Sequence, residues 1–201
     1  MVFTQETDTD LPLVVQFHPV INMTEDEFFE FCQINRDLRI ERTAEGKMII
    51  MPPVYTESGG QNFNVPNQLG IWVKKDGTGK GFDSSTGFTL PNGAVRSPDA
   101  SWIKKERWEA IAPEQRKKFA PICPDFVVEL RSQSDSLKLL QEKMQEYIDN
   151  GVLLCWLIDP RQKKVYIYCP DAEVVCLNNP QTISGDPVLA RFVLDLSEIW
   201  D

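Results

Sequence analysis

The spacing of apolar and polar residues divides the chain into short elements. After Thr24-Glu25-Asp26-Glu27, apolar residues recur at Phe28, Phe31 and Ile34. That spacing is helical, and Thr24 with Glu27 fits a capping box, so a helix of about ten residues is predicted to start here. Residues 39–42 and 47–51 flank Ala44-Glu45-Gly46 and predict a hairpin that ends at Pro52-Pro53. Phe63, Leu69, Ile71, Trp72 and Val73 predict a helix over 60–74, with Pro66 either kinking it or lying in its first turn. Strands are predicted over 81–85, 88–90 and 98–103, with a turn at Pro91-Asn92-Gly93. The charged, proline-punctuated stretch 104–121 predicts short surface helices over 106–110 and 113–118. A strand over 126–130 precedes the clearest helix, 135–150, which Gly151 stops. Strands over 152–158, 165–169 and 173–177 follow, and an apolar stretch over 192–200 closes the chain.

Strands before a helix and strands after it predict an α/β or α+β architecture, with a mixed central β-sheet flanked by helices. The order strand–helix–strand over 126–158 predicts a right-handed parallel crossover. A chain of 201 residues can bury one real core. With no internal repeat or low-complexity linker, a single domain over 1–201 is expected, residues 1–20 forming an N-terminal extension and the polar first twelve fraying. No apolar run approaches the roughly 20 residues of a membrane span, and the start lacks a signal peptide's basic and apolar regions. A cytoplasmic protein without a membrane partner is expected. The apolar stretches 11–17 and 192–200 fit core packing or an interface.

Several chemistries find little support. The five cysteines are odd in number and form no C-x-x-C pair. Cys155, Cys169 and Cys176 lie in apolar strand-like runs and read as buried thiols in a reducing compartment. His18 is the one histidine, which argues against a zinc site or a Ser-His-Asp triad. The run GTGKG over 77–81 is a glycine-rich turn and not a phosphate loop. The net charge of -9 repels phosphates in bulk, so any surface that faces nucleic acid must be a local patch.

The remaining candidates are acidic. Glu129 interrupts the apolar run of its strand, and burying an unpaired carboxylate is costly. Ser97-Pro98-Asp99 opens another strand about thirty residues earlier. Neighbouring strands can converge carboxylate oxygens on a hard divalent cation. Alternation places Asp125, Val127, Glu129 and Arg131 on one strand face and Phe126, Val128 and Leu130 on the other. On the next helix, Leu137, Leu140, Met144, Tyr147 and Ile148 form an apolar stripe, with Lys138, Glu142, Gln145 and Glu146 outward. Lys143 lies at the stripe's edge. It is either a surface lysine with a snorkelling stem or an ammonium that reaches the sheet. Asp99, Glu129 and a lysine are ingredients of metal-dependent phosphodiester hydrolysis.

Ser97-Pro98-Asp99-Ala100-Ser101-Trp102, the run from Cys123 to Ser132, Lys143-Met144 with Tyr147, Asn150-Gly151-Val152 and Trp156-Leu157-Ile158-Asp159-Pro160 together resemble the Uma-two family of endonucleases. The resemblance runs from about Thr24 to near the C-terminus. It implies the restriction-endonuclease-like PD-(D/E)xK fold, with Asp99 and Glu129 as the two acids that hold Mg²⁺ or, alternatively, Mn²⁺. Where the superfamily pattern wants lysine, this chain has Arg131, which holds its proton too firmly to act as a base. The resemblance moves the lysine role to Lys143, with Arg131 as the other candidate. Glu41 and Glu57 are weaker candidates for a further metal-side acid, and Asp125 reads as structural.

Two functions follow. One is a Mg²⁺-dependent endonuclease acting on DNA, by analogy a homodimer with two sites. The other is a catalytically inactive binding module of the same fold, with Glu129 in a salt bridge to Arg131 or Lys143. Loose basic clusters at Lys74, Lys75 and Lys80 and over 104–118 could rim a groove or simply be solvated.

Overall fold

The structure, a computed structural model, describes residues 12–200, so most of the polar N-terminal tail and Asp201 lie outside the described residues. The chain runs β1 (Leu13–Gln16), α1 (Glu25–Ile34), β2 (Arg39–Arg42), β3 (Lys47–Met51), α2 (Thr56–Asp76) and β4 (Gly79–Asp83). It continues with β5 (Phe88–Thr89), β6 (Val95–Arg96), β7 (Ala100–Lys104), α3 (Lys105–Glu109), β8 (Phe126–Leu130) and α4 (Leu137–Asp149). The last strands are β9 (Leu154–Asp159), β10 (Lys164–Tyr168), β11 (Val175–Asn178), β12 (Thr182–Ser184) and β13 (Val193–Asp195).

Local signals set most of these elements. The predicted capping box starts α1: the Glu27 amide donates to Thr24 Oγ1 at 3.2 Å, and the Thr24 amide donates to Glu27 Oε2 at 2.8 Å. The β2–β3 hairpin and α4 fall where their patterns predict. Helix α2 starts four residues before the expected 60 and holds Pro66 in its interior. Pro66 has no N–H to give the turn before it. Burial of Val65 and Leu69 against the sheet sustains the helix through that gap. Gly77, with φ +70, ends it in the left-handed conformation, its N–H donating to Val73 O. The glycine run proves structural: a Cβ on Gly79 would overlap the Trp102 ring and the Ile103 carbonyl.

The sheet topology is richer than the sequence pattern predicts. A six-stranded mixed sheet has the order β11-β10-β9-β8-β7-β4, and β8–β9 is its parallel pair, joined by α4. A separate antiparallel sheet, β1-β3-β2-β6-β5, carries α1, and β12–β13 form a small hairpin. β6 is too short to show a periodicity of its own.

Alternation in β8 sends Phe126, Val128 and Leu130 to one face of the mixed sheet, against α2 and the C-terminal segment. Val127 faces the opposite core with Met144 and Tyr147 of α4. The apolar end of the chain is core: Phe192, Leu194, Leu196, Ile199 and Trp200 are all buried. Of the three strand cysteines, Cys155 is buried, Cys169 is half-buried and Cys176 is exposed, because β11 is the sheet's edge. No helix among the described residues is long and apolar enough to cross a membrane.

Trp156 is fully buried, edge-on to Phe126 at 4.8 Å and stacked on Phe192 at 5.9 Å. It joins the sheet that carries the central strands to the C-terminal segment. Trp156→Ala is expected to cost about 3–5 kcal/mol in urea-unfolding experiments.

Candidate active site

The mixed sheet brings the two predicted acids together. β7 and β8 are antiparallel, with Ala100 opposite Val128. One step further along the register, Asp99 stands beside Glu129. Asp99 lies just before β7, and its side chain reaches β8, because the Leu130 amide donates to its Oδ2 at 2.8 Å. From α2, Asn62 Nδ2 donates to Asp99 Oδ1 at 3.0 Å. From β2, Arg39 Nη2 approaches the same oxygen at 3.5 Å and donates to the Ser97 carbonyl at 2.9 Å. Both acids line a cleft of about 180 Å³ together with Arg39, Ser58, Asn62 and Lys143.

Lys143 reaches the sheet. Its Nζ lies 2.8 Å from Glu129 Oε1 and 2.9 Å from Glu41 Oε1. The position at the edge of the α4 stripe makes this reach possible: Met144 and Tyr147 are fully buried, and Lys143 projects beside them toward the central strands. Tyr147 Oη donates to Glu129 Oε1 at 2.9 Å, so the contacts from Tyr147 and Lys143 fall on one oxygen of Glu129. Among the described residues, no hydrogen bond reaches Glu129 Oε2.

Glu41 lies behind the lysine and is fully committed. Its Oε1 also accepts from the Ser97 amide at 2.9 Å, and its Oε2 pairs with Arg96 Nη1 at 3.1 Å. Arg96 in turn pairs through Nε with Glu146 at 2.6 Å. Glu146 therefore does not point outward, as the helical wheel predicts; it turns back onto Arg96 because that cation sits buried beside α4.

Other candidates lie elsewhere. Arg131 is not brought to Glu129: its Nη1 pairs with buried Asp159 at 2.7 Å, and its Nε donates to the Asp135 carbonyl at 3.1 Å. Arg131 lies just past the end of β8, and β9 offers it the nearer carboxylate. Asp125 is structural: it accepts from the Lys104 amide at 2.8 Å and pairs with Arg107 at 2.8 Å. Glu57 is exposed on the first turn of α2, and among the described residues no hydrogen bond or ion pair joins it to the acids. Arg39, Asn62 and Arg96 escape sequence reasoning. The one hint is that Arg39 and Glu41 share a strand face, two residues apart.

The electrostatics separate the two glutamates. Burial raises the pKa of Glu41, but Lys143, Arg96 and the Ser97 amide outweigh it and bring the group down to about 2. Burial pushes Glu129 up to about 7; Lys143 opposes this, while Asp99 and Glu41 reinforce it. One ammonium serves two carboxylates, and Glu41 has a second cation, Arg96, that Glu129 lacks. Burial works against the Lys143 ammonium as well, yet Glu129 and Glu41 hold its pKa above the ordinary lysine value. Lys143 is therefore a fixed positive charge and not a proton acceptor near neutral pH.

No group of three or more His, Cys, Asp or Glu side chains able to hold a metal occurs among the described residues. Asp99 and Glu129 are a pair, because Glu41 is spent on cations. A pair fits Mg²⁺, which is commonly bound through one or two carboxylates and keeps several waters. Glu129 Oε2, which no hydrogen bond reaches among the described residues, and Asp99 Oδ1, which accepts from Asn62 at 3.0 Å, are the oxygens that would meet it.

The family model described as "Uma2: Putative restriction endonuclease" matches residues 25–197. A solved structure, "a putative nuclease belonging to DUF820" from Anabaena variabilis, superposes with a TM-score of 0.69 at 21% identity, covering 89% of this chain and 98% of its own. The fold is restriction-endonuclease-like. No curated protein matches the chain.

The two glutamates are expected to titrate stability in opposite directions. Glu41, lowered to about 2, contributes stability that is present above about 4.5 and lost as pH falls through 2. Glu41→Gln should cost about 3–5 kcal/mol at pH 7, and the gap to wild type should narrow below pH 4.5 in denaturant titrations. Glu129, raised to about 7, costs stability progressively as pH rises from about 4.5 to 7, with the full cost present above 7. In metal-free buffer at pH 8, Glu129→Gln should raise the melting temperature, with a gain on the order of 3 kcal/mol. Calorimetry should show that gain fading as pH falls from 7 to 4.5.

Proposed function

Since the chain belongs to the Uma2 family, we propose that its cleft hydrolyses phosphodiester bonds of DNA, using Mg²⁺ or Mn²⁺ held by Asp99 and Glu129. The observation that carries this reading is the pairing of these two acids across β7 and β8, with Lys143 Nζ 2.8 Å from Glu129.

A bound divalent cation would supply Lewis-acid stabilisation of the phosphate and make water a better nucleophile. This chain's own residues supply the rest. Asn62 and the Leu130 amide fix the Asp99 carboxylate from two elements, so its orientation is set before substrate arrives. Tyr147 and Lys143 fix Glu129 through Oε1 and leave Oε2 without a hydrogen bond among the described residues. Lys143, protonated and held by Glu41 from behind, places a fixed positive charge beside the reacting phosphate, where negative charge grows. Preorganised charge of this kind costs no reorganisation during the reaction.

The count of charges supports a site for a cation. Asp99, Glu129, Glu41 and Glu146 face Lys143, Arg96 and Arg39, which leaves one negative charge uncompensated. The surplus falls on Glu129, the carboxylate whose pKa is raised.

A second reading, a binding module that does not cut, draws on the same Lys143–Glu129 salt bridge, which closes the pair without metal. Plasmid nicking separates the two. With Mg²⁺ the wild type should nick supercoiled DNA, and Asp99→Ala should slow nicking on the order of 10²–10³-fold, comparable to losing a preorganised charge-stabilising group. Equal nicking by wild type and Asp99→Ala, or no rise in melting temperature with Mn²⁺, would favour the module.

A further inference from the structure

We propose that Arg39 is the phosphate-binding residue of this cleft, its guanidinium contacting a nonbridging oxygen of the DNA strand beside Asp99; this rests on the nuclease reading above. With a net charge of -9, the protein attracts a polyanion only through local cations. The cations lining the cleft are Arg39 and Lys143. Lys143 is bonded to two carboxylates, and its side chain is only 13% exposed. Arg39 is different in each respect: its side chain is 34% exposed, and its donors are mostly unspent.

A guanidinium carries five N–H donors in a planar fork. In Arg39, Nη2 donates to the Ser97 carbonyl at 2.9 Å and only approaches Asp99 at 3.5 Å. Nε is buried without a partner, and among the described residues no hydrogen bond involves Nη1. An arginine set only to neutralise Asp99 would meet the carboxylate side-on through two short bonds. Here the carbonyl of Ser97 pins one nitrogen, and the residue lines the cleft that holds the acids. The strand end fixes the stem: Arg39 is paired with Met51 in the β2–β3 ladder. This leaves a positioned, permanently charged guanidinium with Nη1 unspent for a phosphate oxygen.

The test is binding of a short fluorescent DNA duplex without divalent metal, read by anisotropy across a salt series. Arg39→Gln should weaken binding on the order of tenfold and lower the slope of log affinity against log salt by about one, as expected for losing one phosphate contact. Arg39→Lys, which keeps the charge, should keep the slope. In Mg²⁺, Arg39→Gln should raise KM for DNA more than it lowers kcat. An Arg39→Gln protein with a lower melting temperature but an unchanged salt slope would overturn the assignment and mark Arg39 as structural. The two failures are distinguishable: if Asp99→Ala abolishes nicking while Arg39→Gln keeps the slope, Arg39 alone is misassigned. If the wild type neither binds duplex nor nicks plasmid, both readings fall.

Discussion

A single ammonium lies between two buried carboxylates, and the centre of this molecule is arranged around it. Lys143 Nζ is within 2.9 Å of both Glu41 and Glu129, and both acids are almost completely buried. Removing an ion from water costs several kcal/mol, and attraction offsets that only when the geometry is close and the remaining lone pairs are bonded. Glu41 meets this condition through Lys143, Arg96 and the Ser97 amide. Glu129 meets it only in part. The α4 crossover, the β2 strand and the β7–β8 ladder must all be in place for the arrangement to exist. The lysine thus ties the N-terminal sheet to the central one.

The imbalance between the two glutamates fits the proposed metal-dependent function. A site that is to receive a divalent cation needs uncompensated carboxylate oxygen, and such oxygen is costly while the site is empty. Glu129 carries that cost, as its raised pKa indicates. The fold offsets it elsewhere, in the two cores packed on either side of the mixed sheet. The cleft is correspondingly divided: Glu41, Arg96 and Glu146 form a network behind Lys143, while Arg39 meets Asp99 only at 3.5 Å.

The local signals that survive in the fold are those with a short-range cause. The Thr24–Glu27 capping box, the Gly77 and Gly151 helix ends, and the alternation of β8 each depend on residues a few positions apart. The readings that changed depend on distant partners. Pro66 stays inside α2 because Val65 and Leu69 pack on the sheet. Glu146 turns inward because Arg96, fifty residues away in sequence, waits there. Cys176 is exposed because its strand ends a sheet, and strand order is not written in any one strand.

The sequence by itself determined the types of most elements, the pair of acids Asp99 and Glu129, and the family to which those residues point. Period-2 and period-3.6 patterns and motif spacing carry that information locally. It left Lys143 and Arg131 as alternatives for the basic role, since both lie near Glu129 along the chain. Tertiary structure separated them. Asp159 on β9 takes Arg131, and the reach of α4 across the sheet brings Lys143 to Glu129. Arg39 and Asn62 enter the cleft in the same way, from elements sixty and thirty-seven residues before Asp99. A charge's role is set by whichever opposite charge the fold brings within about 4 Å, and that distance is fixed by packing rather than by sequence separation.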